Sequence, residues 1–419
     1  MYFSQRNHVI LKIYTELEDV TMTTYNFDER IDRTNTTSVK HAFKKEFHLS
    51  QDVIPLWVAD MDFRSPKEVC EAVEQAGKFG IFGYADSHDD YFDAIHSWML
   101  RRHGWNVHKD WLVRTPGVVC AIAAAVHAFT CENDSVMIMQ PVYHPFKNVL
   151  TTNHRHVVKH ILKTDKNNRF YADFEEMERQ IETEQVKLLI LCTPHNPGGR
   201  IWTREELQKI AEICLRHQVL VFADEIHHDF ILPGHTFTEW ASISEEMNQN
   251  SIIGTAPSKT FNIAGLGLSN IFIPNPKLRK KFVQELHRSC IDANNVIALD
   301  ACKAAYTFGE TWLEELLVYL QGNVDFVRSF LKEHLPHAKM MEPDGTYLLW
   351  IDFSSMALSA NMTHAEFEKF LLEKAGVWIN NGTMFGDGGC GCFRMNIGCP
   401  RSVLEQALKQ IKEAADTYL

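Results

Sequence analysis

Between about residue 115 and residue 275, short apolar runs alternate with amphipathic stretches. Ser135–Gln140, Val186–Cys192, Val219–Ala223, Ser251–Gly254 and Gly267–Ile273 are short and mostly rich in Val, Ile and Leu, the pattern of strands buried on both faces. Between two of them, Thr203–Leu215 opens with Thr203 and Glu206 in capping-box positions and places Leu207, Ile210, Ala211 and Cys214 on one helical face. Strand, helix, strand in repetition predicts an α/β fold with a mostly parallel sheet between helices. Ligands of such sheets sit beyond the carboxyl ends of the strands.

Past about residue 300 the pattern changes. A long helical stretch, Ala301–Leu335, broken near Gly309, precedes separated strands at Tyr347–Phe353, Val377–Asn380 and Phe393–Ile397. This predicts a smaller α+β domain, joined by part of the N-terminal segment. With no internal repeat, low-complexity tract or Pro/Gly/Ser linker, the domains are expected to share a close interface. The expected division is an N-terminal extension over 1–21, a segment over 22–75 that contributes to the small domain, a large domain over 76–300 and a C-terminal small domain over 301–419.

Composition narrows the classes of function. The chain has 419 residues, 45% hydrophobic and 23% charged, the mix of an ordinary soluble globular protein long enough for two sizeable cores. A formal charge of −12 argues against nucleic acid or an anionic membrane surface as the main partner. No apolar run approaches the roughly 18 to 20 residues of a membrane span, and the N-terminus lacks the uninterrupted apolar stretch of a signal peptide. Ten cysteines scattered without a paired framework point to reduced thiols and a cytoplasmic setting. Cys390, Cys392 and Cys399 lack a fourth ligand at a familiar metal-site spacing, so ordinary thiols are expected and no metal.

The chemistry-bearing residues fall at predicted strand ends. Leu189–Cys192 runs into Thr193-Pro194-His195-Asn196-Pro197-Gly198-Gly199, with Asn196 a neutral donor and acceptor. Asp224 ends the next strand, within Asp224-Glu225-Ile226-His227-His228-Asp229. Lys259 follows a third, in Pro257-Ser258-Lys259-Thr260-Phe261-Asn262. Singly, each has an ordinary reading: a turn, a helix cap, a solvated lysine. Their conjunction at successive strand ends is much harder to obtain by chance.

Here the sequence resembles the fold-type I enzymes that bind pyridoxal 5′-phosphate (PLP), in the class I/II aminotransferase superfamily. Within it the chain is most similar to the MalY/PatB cystathionine β-lyase branch. The resemblance runs from about Tyr25 to the C-terminus. It is carried by Phe27-Asp28-Glu29-Arg30-Ile31-Asp32-Arg33, by Pro55-Leu56-Trp57-Val58-Ala59-Asp60-Met61-Asp62-Phe63, by Asp224–His227 and by Ser258–Leu266. Residues 1–21 lie outside it.

The resemblance implies roles. Lys259 would join the cofactor covalently and then take the α-proton of the substrate, for which its amine must be unprotonated. Asp224 would pair with the pyridine nitrogen and Asn196 with the phenolic oxygen. His227 would lie near that oxygen or serve as a packing residue; both readings stay open. The phosphate would meet the backbone N–H groups of Gly117, Val118 and Val119 at the start of the helix Cys120–Phe129, and the Ser258 hydroxyl. Tyr143 would stack on the ring, and Tyr84 would reach the phosphate in a neighbouring subunit, so a homodimer with active sites at its interface is implied. Arg394 would hold the substrate α-carboxylate, although an arginine on an edge strand is an ordinary surface feature. Many aminotransferases carry an arginine eight positions past the lysine; here that position is Gly267, which speaks against an aspartate-aminotransferase assignment.

The expected reaction is β-elimination from L-cystathionine or a related cysteine thioether to a thiol, pyruvate and ammonia, since thiolates leave readily. Two alternatives stand beside it. One is amino-group transfer over a broad amino acid range; the other is a regulatory protein-contact role with secondary catalysis.

Overall fold

The computed structural model describes residues 24–291 and 295–418, so the extension over 1–21 lies outside the described residues. Seven strands build the main sheet: β1 (Leu112–Thr115), β2 (Ser135–Gln140), β3 (His156–Ile161), β4 (Leu188–Cys192), β5 (Leu220–Asp224), β6 (Ser251–Thr255) and β7 (Ser269–Phe272). They lie in the order β1-β7-β6-β5-β4-β2-β3. Every pair from β6 to β3 is parallel, and β7 runs antiparallel to both β1 and β6. The sheet is therefore mostly parallel, as the alternation predicts, with one strand reversed.

Of the five expected strands, Ser135–Gln140 appears with the expected bounds and the other four with ends shifted by one or two residues. Two more escape an apolar-run reading for physical reasons. β3 is an edge strand whose sequence, His-Val-Val-Lys-His-Ile, mixes polar with apolar residues and leaves His156 exposed and Lys159 half-exposed. β1 is only four residues long and carries Arg114.

Helix α1 (Val118–Phe129) packs on this sheet through Ala121, Ile122 and Ala125, all fully buried. Gly254 in β6 permits that closeness: a Cβ there would stand 2.9 Å from both Val118 and the Phe222 ring. Helix α2 (Arg204–Arg216) begins with the predicted capping box between Thr203 and Glu206. It buries Leu207, Ile210, Ala211 and Cys214 against the opposite face of the sheet. Full burial of a Leu or Ile side chain contributes about 1.5–3 kcal/mol.

Lys259 sits in the four-residue turn α3 (Pro257–Thr260). Helices α4 (Val296–Phe308) and α5 (Glu310–His334) meet at Gly309, where any Cβ would stand 2.3 Å from the Phe261 ring. The break in the long helical stretch thus has a packing cause.

A second sheet is antiparallel throughout: β8 (Lys339–Met340), β9 (Leu348–Asp352), β10 (Asn380–Asn381) and β11 (Cys392–Asn396), in the order β8-β9-β11-β10. The single strand expected over Val377–Asn380 is in fact split. Val377–Trp378 leaves this sheet to pair in parallel with Ile54–Pro55, which ties the N-terminal segment to the C-terminal one. Among the described residues no helix is long and apolar enough to cross a membrane.

Candidate active site

The carboxyl ends of β1, β4, β5 and β6 open on a cavity of about 190 Å³. Gly117, Val118, Val119, Tyr143, Asn196, Asp224, His227, Ser258 and Lys259 all line it. Nine residues spread over more than 140 positions of sequence are thus brought to one space by strand order.

Its electrostatics follow from enclosure. Burial pushes the Asp224 carboxyl up to about 7, against a hydrogen bond from the Ile226 N–H and the nearby Lys259 amine, which act the other way. Burial also brings the Lys259 amine down to about 8; Arg394 adds to that fall, while Asp60 and Asp224 oppose it. His227, enclosed and facing Lys259 and Arg394, falls to about 3 and is neutral at physiological pH. Its Nδ1 has no hydrogen-bond partner among the described residues. A lysine that is partly unprotonated near neutral pH, near a buried carboxyl, can bind an electrophile and a cationic ring nitrogen side by side.

The cavity also accommodates an anion. Gly117 is the N-cap of α1 and offers no side-chain cap; a Cβ there would meet nothing within 4 Å. The first N–H groups of a 12-residue helix therefore face the cavity with the positive end of its dipole. An aldehyde-bearing, phosphorylated pyridinium fits this donor set: amine for the aldehyde, carboxyl for the ring nitrogen, helix start for the phosphate.

Arg394 lies on β11, between β9 and β10, with only 4% of its surface exposed. The surface alternative, already made less attractive by the flanking Phe393 and Met395, falls away because strand β10 covers what would otherwise be an edge. It donates Nη1 to the Asn196 Oδ1 at 3.0 Å, and Nη2 to the Trp57 carbonyl at 2.8 Å and the Asn380 Oδ1 at 2.7 Å. Its Nε has no hydrogen-bond partner among the described residues. Burial lowers the guanidinium to about 10, so it stays charged through neutral pH. Asn196, with its oxygen taken by Arg394, retains its Nδ2 as a donor. The Lys259 Nζ donates to the Ala59 carbonyl at 2.6 Å.

The sequence profile described as "Aminotransferase class I and II" matches residues 51–411. The chain belongs to the class I and II aminotransferase family. A cystathionine beta-lyase, PatB of Bacillus subtilis (strain 168), is 43% identical over 389 residues, covering 93% of this chain and 99% of the relative. Cystalysin from Treponema denticola, solved with a pyridoxal 5′-phosphate cofactor, superposes with a TM-score of 0.90 at 35% identity, covering 94% of this chain and 99% of that one. The PLP-bound C–S lyase from Staphylococcus hominis gives a TM-score of 0.87 at 34% identity over 94% and 98% of the two chains.

As a member of the aminotransferase family, the chain has site residues that sequence reasoning did not single out. Ala59, Cys192, Ile226 and Leu268 line the cavity, and Trp57, Asn380 and Tyr347 hold its polar groups. Ala59 and Trp57 stand inside the family-like segment Pro55–Phe63, which was the available signal; Asn380 and Tyr347 had none. Tyr84 stands apart from the cavity within one chain, fully exposed beside Phe79, Ile81 and Phe82. Among the described residues, Cys390, Cys392 and Cys399 form no metal-ligating group.

Proposed function

We propose that this chain is a PLP-dependent C–S β-lyase that converts L-cystathionine or a related cysteine thioether, with water, to a thiol, pyruvate and ammonia. The carrying observation is the convergence of Lys259, Asp224, Asn196 and an uncapped helix start on one cavity, with Arg394 buried alongside. The relatives named as cystathionine beta-lyase and C–S lyase support the same chemistry.

Lys259 would hold the cofactor, with Asp224 at its ring nitrogen, Asn196 and His227 at its ring oxygen, Tyr143 on its face, and Gly117, Val118, Val119 and Ser258 at its phosphate. When bound, PLP supplies an electron-accepting ring joined to the substrate nitrogen, which stabilises negative charge at the α-carbon. Arg394 holds the α-carboxylate by its planar fork and so fixes which α-substituent faces Lys259. Lys259 takes the α-proton at Nζ; an amine near 8 is both available as a base and able to return the proton. As the Cβ–S bond breaks, its electron pair leaves with sulfur and Lys259 delivers a proton there. Asp224 keeps a negative charge at the ring nitrogen throughout.

A homodimer belongs to this proposal. Phe79, Ile81, Phe82, Tyr84 and Phe308 are all more than half exposed, an apolar surface that a second copy would cover, bringing Tyr84 to the partner's phosphate site. A division into a large domain over 76–300 and a small one built from 22–75 and 301–419 is supported by the pairing of Ile54–Pro55 with Val377–Trp378. A cytoplasmic location is supported by ten cysteines that are all unpaired.

The test is to supply the purified protein with PLP and L-cystathionine and to assay thiol and pyruvate together. Both should appear in equal amounts, and Lys259→Ala should abolish them. Amino-group transfer to a 2-oxo acid without thiol would replace this reading by a transaminase. No turnover, with a stoichiometric protein partner recovered by pull-down, would favour a regulatory role.

A further inference from the structure

Two segments that stand out in the sequence, Phe27–Arg33 and Pro55–Phe63, have little part in the chemistry above. The structure brings them together next to Lys259. Arg33 bridges Asp60 and Asp62 through separate nitrogens, Nη2 to Oδ2 at 2.7 Å and Nη1 to Oδ1 at 2.6 Å. Lys40, its side chain wholly shielded from solvent, bridges the same two carboxylates at 3.1 and 2.9 Å. Two cations and two anions thus close a ring of ion pairs without net charge.

The backbone threaded through this ring is pinned from its other side. Asn396 donates Nδ2 to the carbonyls of Val58 and Asp60 at 2.5 and 2.6 Å. Asn262, three residues past Lys259, accepts the Met61 N–H at 2.9 Å and donates to the Met61 and Phe63 carbonyls, each at 2.9 Å. Between these anchors lies the Ala59 carbonyl, which accepts from the Lys259 Nζ at 2.6 Å and from the Tyr347 hydroxyl at 3.0 Å.

We propose that Asp60, clasped by Arg33 and Lys40, is a positioning residue for Lys259. It fixes the Ala59 carbonyl as the resting place of the free lysine amine and supplies negative charge that keeps a proton on that amine until the sulfur departs. This rests on the β-lyase reading and adds to it the regulation of its base.

Around the amine stand Asp60, Asp224, Arg394 and His227, with the Tyr347 hydroxyl sharing the Ala59 carbonyl; around Asp60 stand Arg33, Lys40, Lys259 and Tyr347. Enclosure and Arg394 both drive a proton off the lysine. Of the two carboxylates that oppose them, Asp224 is assigned to the cofactor ring, so Asp60 is the one left to serve the lysine. A merely structural clasp would leave the lysine's proton affinity alone. An electrostatic one makes the loss of Asp60 and the loss of one of its cations act in opposite directions.

Competitive acetylation of the full-length, cofactor-stripped chain, with the Lys259 peptide quantified by mass spectrometry between about pH 6 and 10, reads the amine's midpoint. Asp60→Asn should lower it by roughly one pH unit, and Arg33→Gln should raise it by roughly half a unit. Adding PLP should restore the visible absorption band in each variant, which shows that the chain is folded and Lys259 reachable. Should Asp60→Asn fail to regain the band, the upward shift in Arg33→Gln decides alone. Midpoints that stay put, or that move the same way, overturn the inference. A wild-type chain that takes up no PLP would instead strike at the β-lyase reading itself.

Discussion

Replacing Asp224 by asparagine in the cofactor-free chain should make the protein more stable, and increasingly so as pH rises. The carboxyl is 4% exposed, and burial lifts it from an ordinary value of 3.8 to about 7. A group whose folded value is raised binds its proton more tightly folded than unfolded. Folding therefore loses stability as pH climbs from the unfolded value to the folded one. At 1.36 kcal/mol per unit, the loss is about 1.6 kcal/mol at pH 5 and levels off near 4 kcal/mol above pH 7. Asparagine keeps the shape without the charge, so the variant should gain on the wild type by roughly 2–3 kcal/mol between pH 5 and 8.5. Urea unfolding of both proteins at the two pH values measures this. With saturating PLP the order should reverse, because the ring nitrogen supplies the missing cation and asparagine cannot hold it protonated. A pH-independent difference without cofactor would refute the assignment of Asp224 as a buried charge lacking its partner.

Three further outcomes are expected. Arg394→Lys keeps the charge but loses the fork that reaches Asn196, Trp57 and Asn380; kcat/KM for the thioether should fall at least about tenfold, mostly through KM. Gly254→Ala puts a methyl group 2.9 Å from Val118 and Phe222, so urea unfolding should show a loss of about 1–3 kcal/mol and spectral titration a weaker PLP affinity as α1 is pushed off the sheet. His103 is raised to about 9: burial alone would lower it, but Glu239 and Asp229, each 2.9 Å away, prevail. Its stabilising contribution is whole below about pH 6.5 and is lost as pH rises through 9, so the wild type should lose about 3 kcal/mol relative to His103→Gln over that span.

The large sheet was legible because parallel strands buried on both faces are written as uninterrupted apolar runs, and the Thr203/Glu206 box marked where α2 begins. Asp224 and Lys259 could be placed because strand ends are where such sheets keep their ligands. What stayed hidden was long-range pairing. The flanking Phe393 and Met395 speak against a surface position for Arg394, but nothing near it announces that Asn380 is the residue that covers it. Nothing in Val377–Asn380 marks the point where the chain leaves one sheet for another, since each piece, Val377–Trp378 and Asn380–Asn381, is two residues long and too short to show a pattern. The reversal of β7 was equally silent, because residue alternation does not encode strand direction.

The contact between Arg394 and the Trp57 carbonyl spans 337 positions, and the grip of Asn396 on Val58 spans 338. A ribosome releases the lysine turn well before it releases the strand that completes the pocket. A nascent chain can therefore lay down its central sheet early, since those strands lie close together in sequence. The Trp57–Asp60 segment must wait for nearly the last stretch of polypeptide before it is fastened over Lys259. Cofactor capture thus becomes a late event in the life of the chain. Losing a few dozen residues from the carboxyl terminus should weaken the hold on the coenzyme, because Ala59, which lines the cavity, lies between carbonyls gripped by Arg394 and Asn396.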